Sequence, residues 1–62
     1  MQRVLETHRF GPHTVVVLET LEDEGPSYSV LVDDEPVVDV PLPLPPRFED
    51  VVRLYARWKE PA

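Results

Sequence analysis

Apolar and polar residues follow two different periods along this chain, and the change of period separates a sheet region from a helical region. Up to about residue 40, short stretches rich in valine alternate with turns that contain glycine, proline or acidic residues. Such stretches predict β-strands, because β-branched side chains fit a pleated surface. We expect strands at residues 3–9, 14–21, 27–32 and 37–40.

Beyond residue 46, the apolar residues recur at spacings of three and four, which is the period of an amphipathic helix. We expect this helix at residues 47–59. A strap with four prolines, residues 41–46, precedes it and can be neither helix nor interior strand. The predicted apolar stripe of the helix consists of Phe48, Val51, Val52, Tyr55 and Trp58.

Short turns between successive strands predict an antiparallel meander, which requires no crossover connection. The predicted fold is therefore α+β, with three or four sequential antiparallel strands and one C-terminal helix packed on one face. The 62 residues are expected to form a single small domain. A core of this size is marginally stable unless a disulfide, a metal or a partner chain supports it. The chain has no cysteine, so a partner chain is the simplest support.

The two central strands differ in how clearly their faces are separated. The third strand alternates between an apolar side and a side with two serines, whereas neither side of the second strand is clearly polar. One helix covers one side of a sheet, so we expect a second copy of the chain to cover the other. The residues predicted at this homodimer interface are Val15, Val17, Leu21 and Leu31.

Charge and composition narrow the classes of function. Six basic against twelve acidic residues give a net charge of -6, which disfavours nucleic acid and anionic membranes and favours a basic protein partner. No apolar run approaches the roughly 18 residues of a membrane span, and the first residues lack the apolar core of a signal peptide. We therefore expect a cytoplasmic protein. Five arginines to one lysine, and valine without isoleucine, are typical of a GC-rich prokaryotic source.

The candidate chemistry is sparse. His8 and His13 flank a Phe-Gly-Pro turn with Glu6 nearby, but they lack a fixed ligand spacing such as His-Glu-x-x-His. The acidic turns at residues 22–24 and 33–35 lack the glycine-centred pattern of a calcium loop. A glycine-rich phosphate loop and a Gly-x-Ser-x-Gly elbow are also missing from the sequence. We expect no enzymatic activity, no cofactor and no metal site.

The order of elements over about half of the chain resembles that of the HicB-type antitoxins, although the glycine-cysteine segment of that family is replaced by the proline strap. The matching segments are residues 15–18, 22–25, 28–32 and 48–54. This resemblance implies an acidic regulatory protein that neutralises a partner.

Three hypotheses of function follow. The leading one is a non-enzymatic protein–protein interaction module or accessory subunit that acts as a homodimer. The alternative is an acidic regulatory protein, antitoxin-like or a nucleic-acid mimic, which neutralises a basic partner. The third places a small-molecule or metal site at His8 and His13. Arg53 and Arg57, on the polar side of the helix, are weaker candidates for anion binding.

Overall fold

The computed structural model describes residues 1–60, which form a four-stranded sheet and a single helix. The elements are β1 (Gln2–Phe10), β2 (His13–Glu22), β3 (Gly25–Val32), β4 (Glu35–Pro36) and α1 (Phe48–Lys59). Neighbouring strands are antiparallel and lie in the sheet in their sequence order. The predicted α+β meander with a C-terminal helix is confirmed.

Two tight turns fix the hairpins at one end of the sheet. Gly11 opens the β1–β2 turn with a φ of 61°, a conformation that glycine adopts without steric cost, and Pro12 follows it. In the β3–β4 turn, both Asp33 and Asp34 have positive φ values, 50° and 69°, as in a type I′ turn. The Asp33 carboxylate accepts a hydrogen bond of 3.0 Å from the Thr14 backbone N–H, which helps to offset the backbone strain.

The fourth strand lies earlier in the chain than predicted. It was expected at residues 37–40, but the ladder is confined to Glu35–Pro36, with one further hydrogen bond from the Val37 N–H to the Val30 carbonyl. The reason is the two-residue turn, since it returns the chain to the sheet at once. Pro36 is tolerated there because β4 lies at the edge of the sheet.

The core lies between the helix and one face of the sheet. Five fully buried valines form it: Val15, Val17, Val30, Val32 and Val51. The register places Val15 opposite Val32 and Val17 opposite Val30, so these residues of β2 and β3 share a face. The predicted position of Val15 and Val17 on the face away from the helix is therefore wrong.

The helix buries a narrower stripe than its sequence predicts. Val51 is fully buried and Tyr55 and Trp58 are half-buried, whereas Phe48 and Val52 remain exposed. The first turn is closed by Asp50, whose Oδ2 accepts a hydrogen bond of 3.0 Å from the Arg47 backbone N–H. Acidic residues occupy the first turn and basic residues the last, in agreement with the helix dipole.

The proline strap is attached to the free edge of β3. Tyr28 and Leu42 exchange two backbone hydrogen bonds, of 2.9 and 2.7 Å. Leu42 is half-buried there, but Leu44 is 73% exposed. The strap thus runs beside the sheet toward the start of α1 and leaves part of its apolar surface in contact with solvent.

Candidate functional site

The sheet face that α1 does not cover carries a group of apolar side chains. Side chains alternate between the two faces of a strand, so the neighbours of the buried valines point away from the helix. Four apolar residues lie on this face in two cross-strand pairs: Val4 opposite Leu18, and Val16 opposite Leu31. Val16, Leu18 and Leu31 are half-buried, and Val4 is 56% exposed. We call these four residues the open-face patch.

Charge is nearly absent around the open-face patch. The register gives the remaining positions of this face mostly to serine, threonine and glutamine, with Arg9 at one end and Glu22 at the other. The chain has twelve acidic residues, yet one carboxylate lies on this face, at its rim. Depletion of charged residues is the compositional mark of the centre of a protein–protein interface.

The total accessible surface exceeds that of a compact monomer of this mass. It measures 4704 Å² for this 7.1 kDa chain, whereas a folded monomer of that mass exposes about 4100 Å². The excess of about 600 Å² belongs to the whole chain, including the exposed Leu44 and Val40 near the strap.

Association through the free edge of the sheet is less favoured than association through its open face. β1 is an edge strand of nine residues, but a register shift between Val4 and Glu6 leaves Leu5 as a bulge. Arg3 and Glu6 add charge to the same strand. Bulges and charges are the features that discourage edge-to-edge pairing.

The four residues predicted at an interface have separate positions in the structure. Val15 and Val17 are 0% and 1% exposed beneath α1, so they contribute to the core of one chain. Leu31 lies on the open face, whereas Leu21 has the parity of Val15 and Val17 and is exposed near the end of β2, beyond the helix. That a partner covers Leu21 and Leu31 stays a prediction.

Sequence reasoning missed Val4, Val16 and Leu18 as candidates. The alternation within β2 separated Val16 and Leu18 from Val15 and Val17 correctly, but it did not indicate which set faces the helix. Val30 and Val32 supply that information once their cross-strand partners are known.

The two histidines belong to an aromatic cluster at the turn end of the sheet. Each one contacts a carboxylate of its own: His8 Nε2 lies 2.9 Å from Glu6 Oε1, and His13 Nδ1 lies 2.6 Å from Asp33 Oδ2. His13 also meets the ring of Trp58 edge-on at 5.0 Å. Within residues 1–60, no three histidine, cysteine or acidic side chains are grouped as a metal site requires.

Two ionisable groups have shifted pKa values with clear causes. The backbone N–H of Thr14, followed by the His13 ring, holds the pKa of Asp33 below its usual value. Burial, followed by the neighbouring Glu19 carboxylate, raises the pKa of Tyr28. Glu19 is itself buried and accepts a hydrogen bond of 2.7 Å from the Arg3 Nε–H. Both groups stabilise local structure, and neither lies in a cleft with a potential nucleophile.

The two acidic turns differ in what their carboxylates contact. In the β3–β4 turn, Asp33 is held by Thr14 and His13, and Glu35 accepts a hydrogen bond of 3.0 Å from Trp58 Nε1. In the β2–β3 turn, residues 22–24 are all exposed. The acidic side chains of the β3–β4 turn therefore have a structural use, whereas residues 22–24 present their charge to solvent.

Comparisons of this chain with known protein families, with curated proteins and with solved structures found no match. The resemblance to HicB-type antitoxins thus stays a hypothesis. The single helix of residues 1–60 has 12 residues, and no helix in that range has the length and apolarity needed to cross a bilayer.

Proposed function

We propose that this protein is a non-enzymatic interaction module that associates with a second copy of itself through the open face of its sheet. The observation that carries the proposal is the open-face patch, an apolar surface almost free of charge in a strongly acidic chain. Two such faces stack about 10 Å apart in a sandwich, with side chains of both copies between them.

The proposed dimer is a reversible one. Four apolar residues on each copy, three of them already half-buried, form a small contact, near the lower limit of the specific class. Serine and threonine lie between the apolar residues, so the face tolerates water in the free chain. We therefore expect a dimer that forms at micromolar concentrations and dissociates on dilution.

Sedimentation equilibrium tests this proposal, with one variant that breaks the contact and one that does not. The wild type should approach twice the chain mass of 7.1 kDa as concentration rises. Val16→Lys places a charge at the centre of the open face and should keep the chain monomeric. Val52→Lys makes the same chemical change at an exposed position of α1 and should leave the dimer intact.

Two results would contradict the homodimer. One is a single species of 7.1 kDa at millimolar concentration with a melting temperature independent of concentration. The other is equal loss of association in both lysine variants, which would indicate a general effect of charge.

The exposed acidic turn of residues 22–24 supports a second candidate function, the neutralisation of a basic protein partner. Ionic strength separates the two candidates, because contacts between exposed charges are screened by salt whereas apolar burial is not. A partner captured at low salt and released at high salt would favour neutralisation. Dimerisation that persists at high salt would favour the interaction module.

A further inference from the structure

A groove of about 460 Å³ lies between the proline strap and helix α1. Leucine and proline side chains of the strap, together with Leu54 of the helix, form its apolar lining. Three arginines, Arg47, Arg53 and Arg57, also line it, against a single carboxylate, Asp50. With Glu49, which lies 3.9 Å from Arg47, the groove and its rim have a local charge of +1 in a chain whose net charge is -6.

Two arginines of the groove form long ion pairs with a carboxylate of the helix, and the third forms none among residues 1–60. Arg47 Nη1 lies 3.9 Å from Glu49, and Arg53 Nη1 lies 3.5 Å from Asp50. Both distances exceed the 2.7–2.9 Å or so of a direct charge-assisted hydrogen bond. Within residues 1–60, Arg57 forms no ion pair. All three guanidinium groups therefore have hydrogen-bond donors available for an anionic ligand.

The spacing of these cations matches an extended peptide. Arg53 and Arg57 are four residues apart on one helix face, which corresponds to roughly 6 Å along the axis, and Arg47 is the N-cap, six residues before Arg53. In an extended chain, alternate side chains point the same way at intervals of about 6.6–6.8 Å. A peptide in which acidic and apolar residues alternate can therefore direct its carboxylates to the arginines and its apolar side chains to the groove lining.

We propose that this groove binds an extended peptide in which acidic residues alternate with large apolar ones. The four prolines of the strap fix its backbone, and the Tyr28–Leu42 hydrogen bonds attach it to the sheet, so one wall of the groove is formed before the peptide arrives. Leu44, highly exposed in the free protein, supplies apolar surface that the peptide covers. The peptide site is separate from the open face and does not depend on dimerisation.

Fluorescence anisotropy with a labelled seven-residue peptide of alternating acidic residues and leucine tests this inference on the full chain. The wild type should bind it, and affinity should fall as salt rises. Arg53→Gln combined with Arg57→Gln should weaken binding by roughly tenfold or more, because two charge-assisted contacts are lost. Leu44→Gln should also weaken it, whereas a peptide with glutamine at its acidic positions should bind poorly.

A matched control removes two cations outside the groove, by Arg9→Gln combined with Lys59→Gln, and should retain peptide binding. Equal loss in this control would overturn the proposal, since binding would then follow net charge alone. Lack of binding at millimolar peptide would overturn it too. Tighter binding of a single-stranded oligonucleotide of similar length would show that the occupant is wrong. Circular dichroism of each variant separates loss of the groove from loss of the fold.

Discussion

Val15 and Val16 are adjacent and chemically identical, yet one is fully buried and the other is half-buried on the opposite side of the sheet. The difference arises because the described chain has one helix, which covers one face. On the covered face, valine pairs with valine across the strands, as in Val17 opposite Val30. On the open face, apolar residues alternate with hydroxyl side chains, as in Leu18 opposite Ser29. Hydrophobic content alone does not distinguish the faces; strand register and the position of the helix do.

The two faces of the sheet differ in how well they tolerate contact with water. A side of fully buried valines is costly to hydrate, and here helix α1 of the same chain covers it. A side that mixes leucine and valine with serine and threonine is compatible with water and with a dry contact. This difference is the physical basis for placing the core on one side and a reversible contact on the other.

The largest expected difference in stability comes from replacing one valine by aspartate on each face of the sheet in turn. Val17→Asp buries an unpaired carboxylate and should cost about 3–5 kcal/mol, most of the roughly 3–9 kcal/mol that a chain of this length has. Val16→Asp should cost at most about 1 kcal/mol in the dilute monomer. Urea unfolding followed by circular dichroism, at concentrations below dimerisation, measures both values.

Equal destabilisation by the two aspartates would mean that the faces do not differ in the way described. Sedimentation of Val16→Asp completes the test, because this variant should stay folded but fail to associate. A folded and dimeric Val16→Asp would remove the open face from the proposed interface.

A smaller effect distinguishes the two sides of the helix. Val51 is fully buried against the sheet, and Val51→Ala should lower the free energy of unfolding by about 2 kcal/mol through lost burial and a residual cavity. The neighbouring Val52 is exposed, and Val52→Ala should change it by less than about 0.5 kcal/mol. Comparable losses in the two variants would indicate that Val52 also has a cover, such as a partner chain.

The local period of the sequence was sufficient to predict the fold. The strands, their order and the helix follow from changes of period and from turn residues, which are local properties. The face assignment of Val15 and Val17 failed because it depends on register, a relation between two strands. The pairing of Glu22 with Gly25 sets that register, whereas the predicted strands at residues 14–21 and 27–32 leave a longer connection between them.

The candidate surfaces were predicted less completely than the fold. A second apolar face was expected correctly, but three of its four predicted residues, Val15, Val17 and Leu21, lie on the helix side, because the opposite parity of β2 was assigned to the open face. Arg53 and Arg57 were recognised as possible anion ligands, but the groove beside them was not. Its wall depends on the contact of Leu42 with Tyr28, which joins parts of the chain that no local pattern connects.

The β3–β4 turn offers a smaller, stabilising change that sharpens the role of register. Asp34 has a φ of 69°, which is strained for a residue with a Cβ and unstrained for glycine. Asp34→Gly should raise the free energy of unfolding by about 0.5 kcal/mol and the melting temperature by about 2–4 °C. Asp34→Ala, the matched control, should lower both. A gain with alanine would indicate that strain at this turn does not oppose folding.

The smallest effect is confined to acid pH and concerns Asp33, which ties the β3–β4 turn to β2. Its pKa is lowered in the folded state by the Thr14 N–H and His13, so the carboxylate stabilises the fold above the unfolded pKa of about 4. That contribution is lost as pH falls through the lower folded pKa. Asp33→Asn tolerates the positive φ but does not titrate, so the difference in melting temperature between wild type and variant should persist above about pH 5 and should shrink below about pH 4. A difference that stays constant down to pH 2 would show that the Asp33 carboxylate does not hold the turn through its charge.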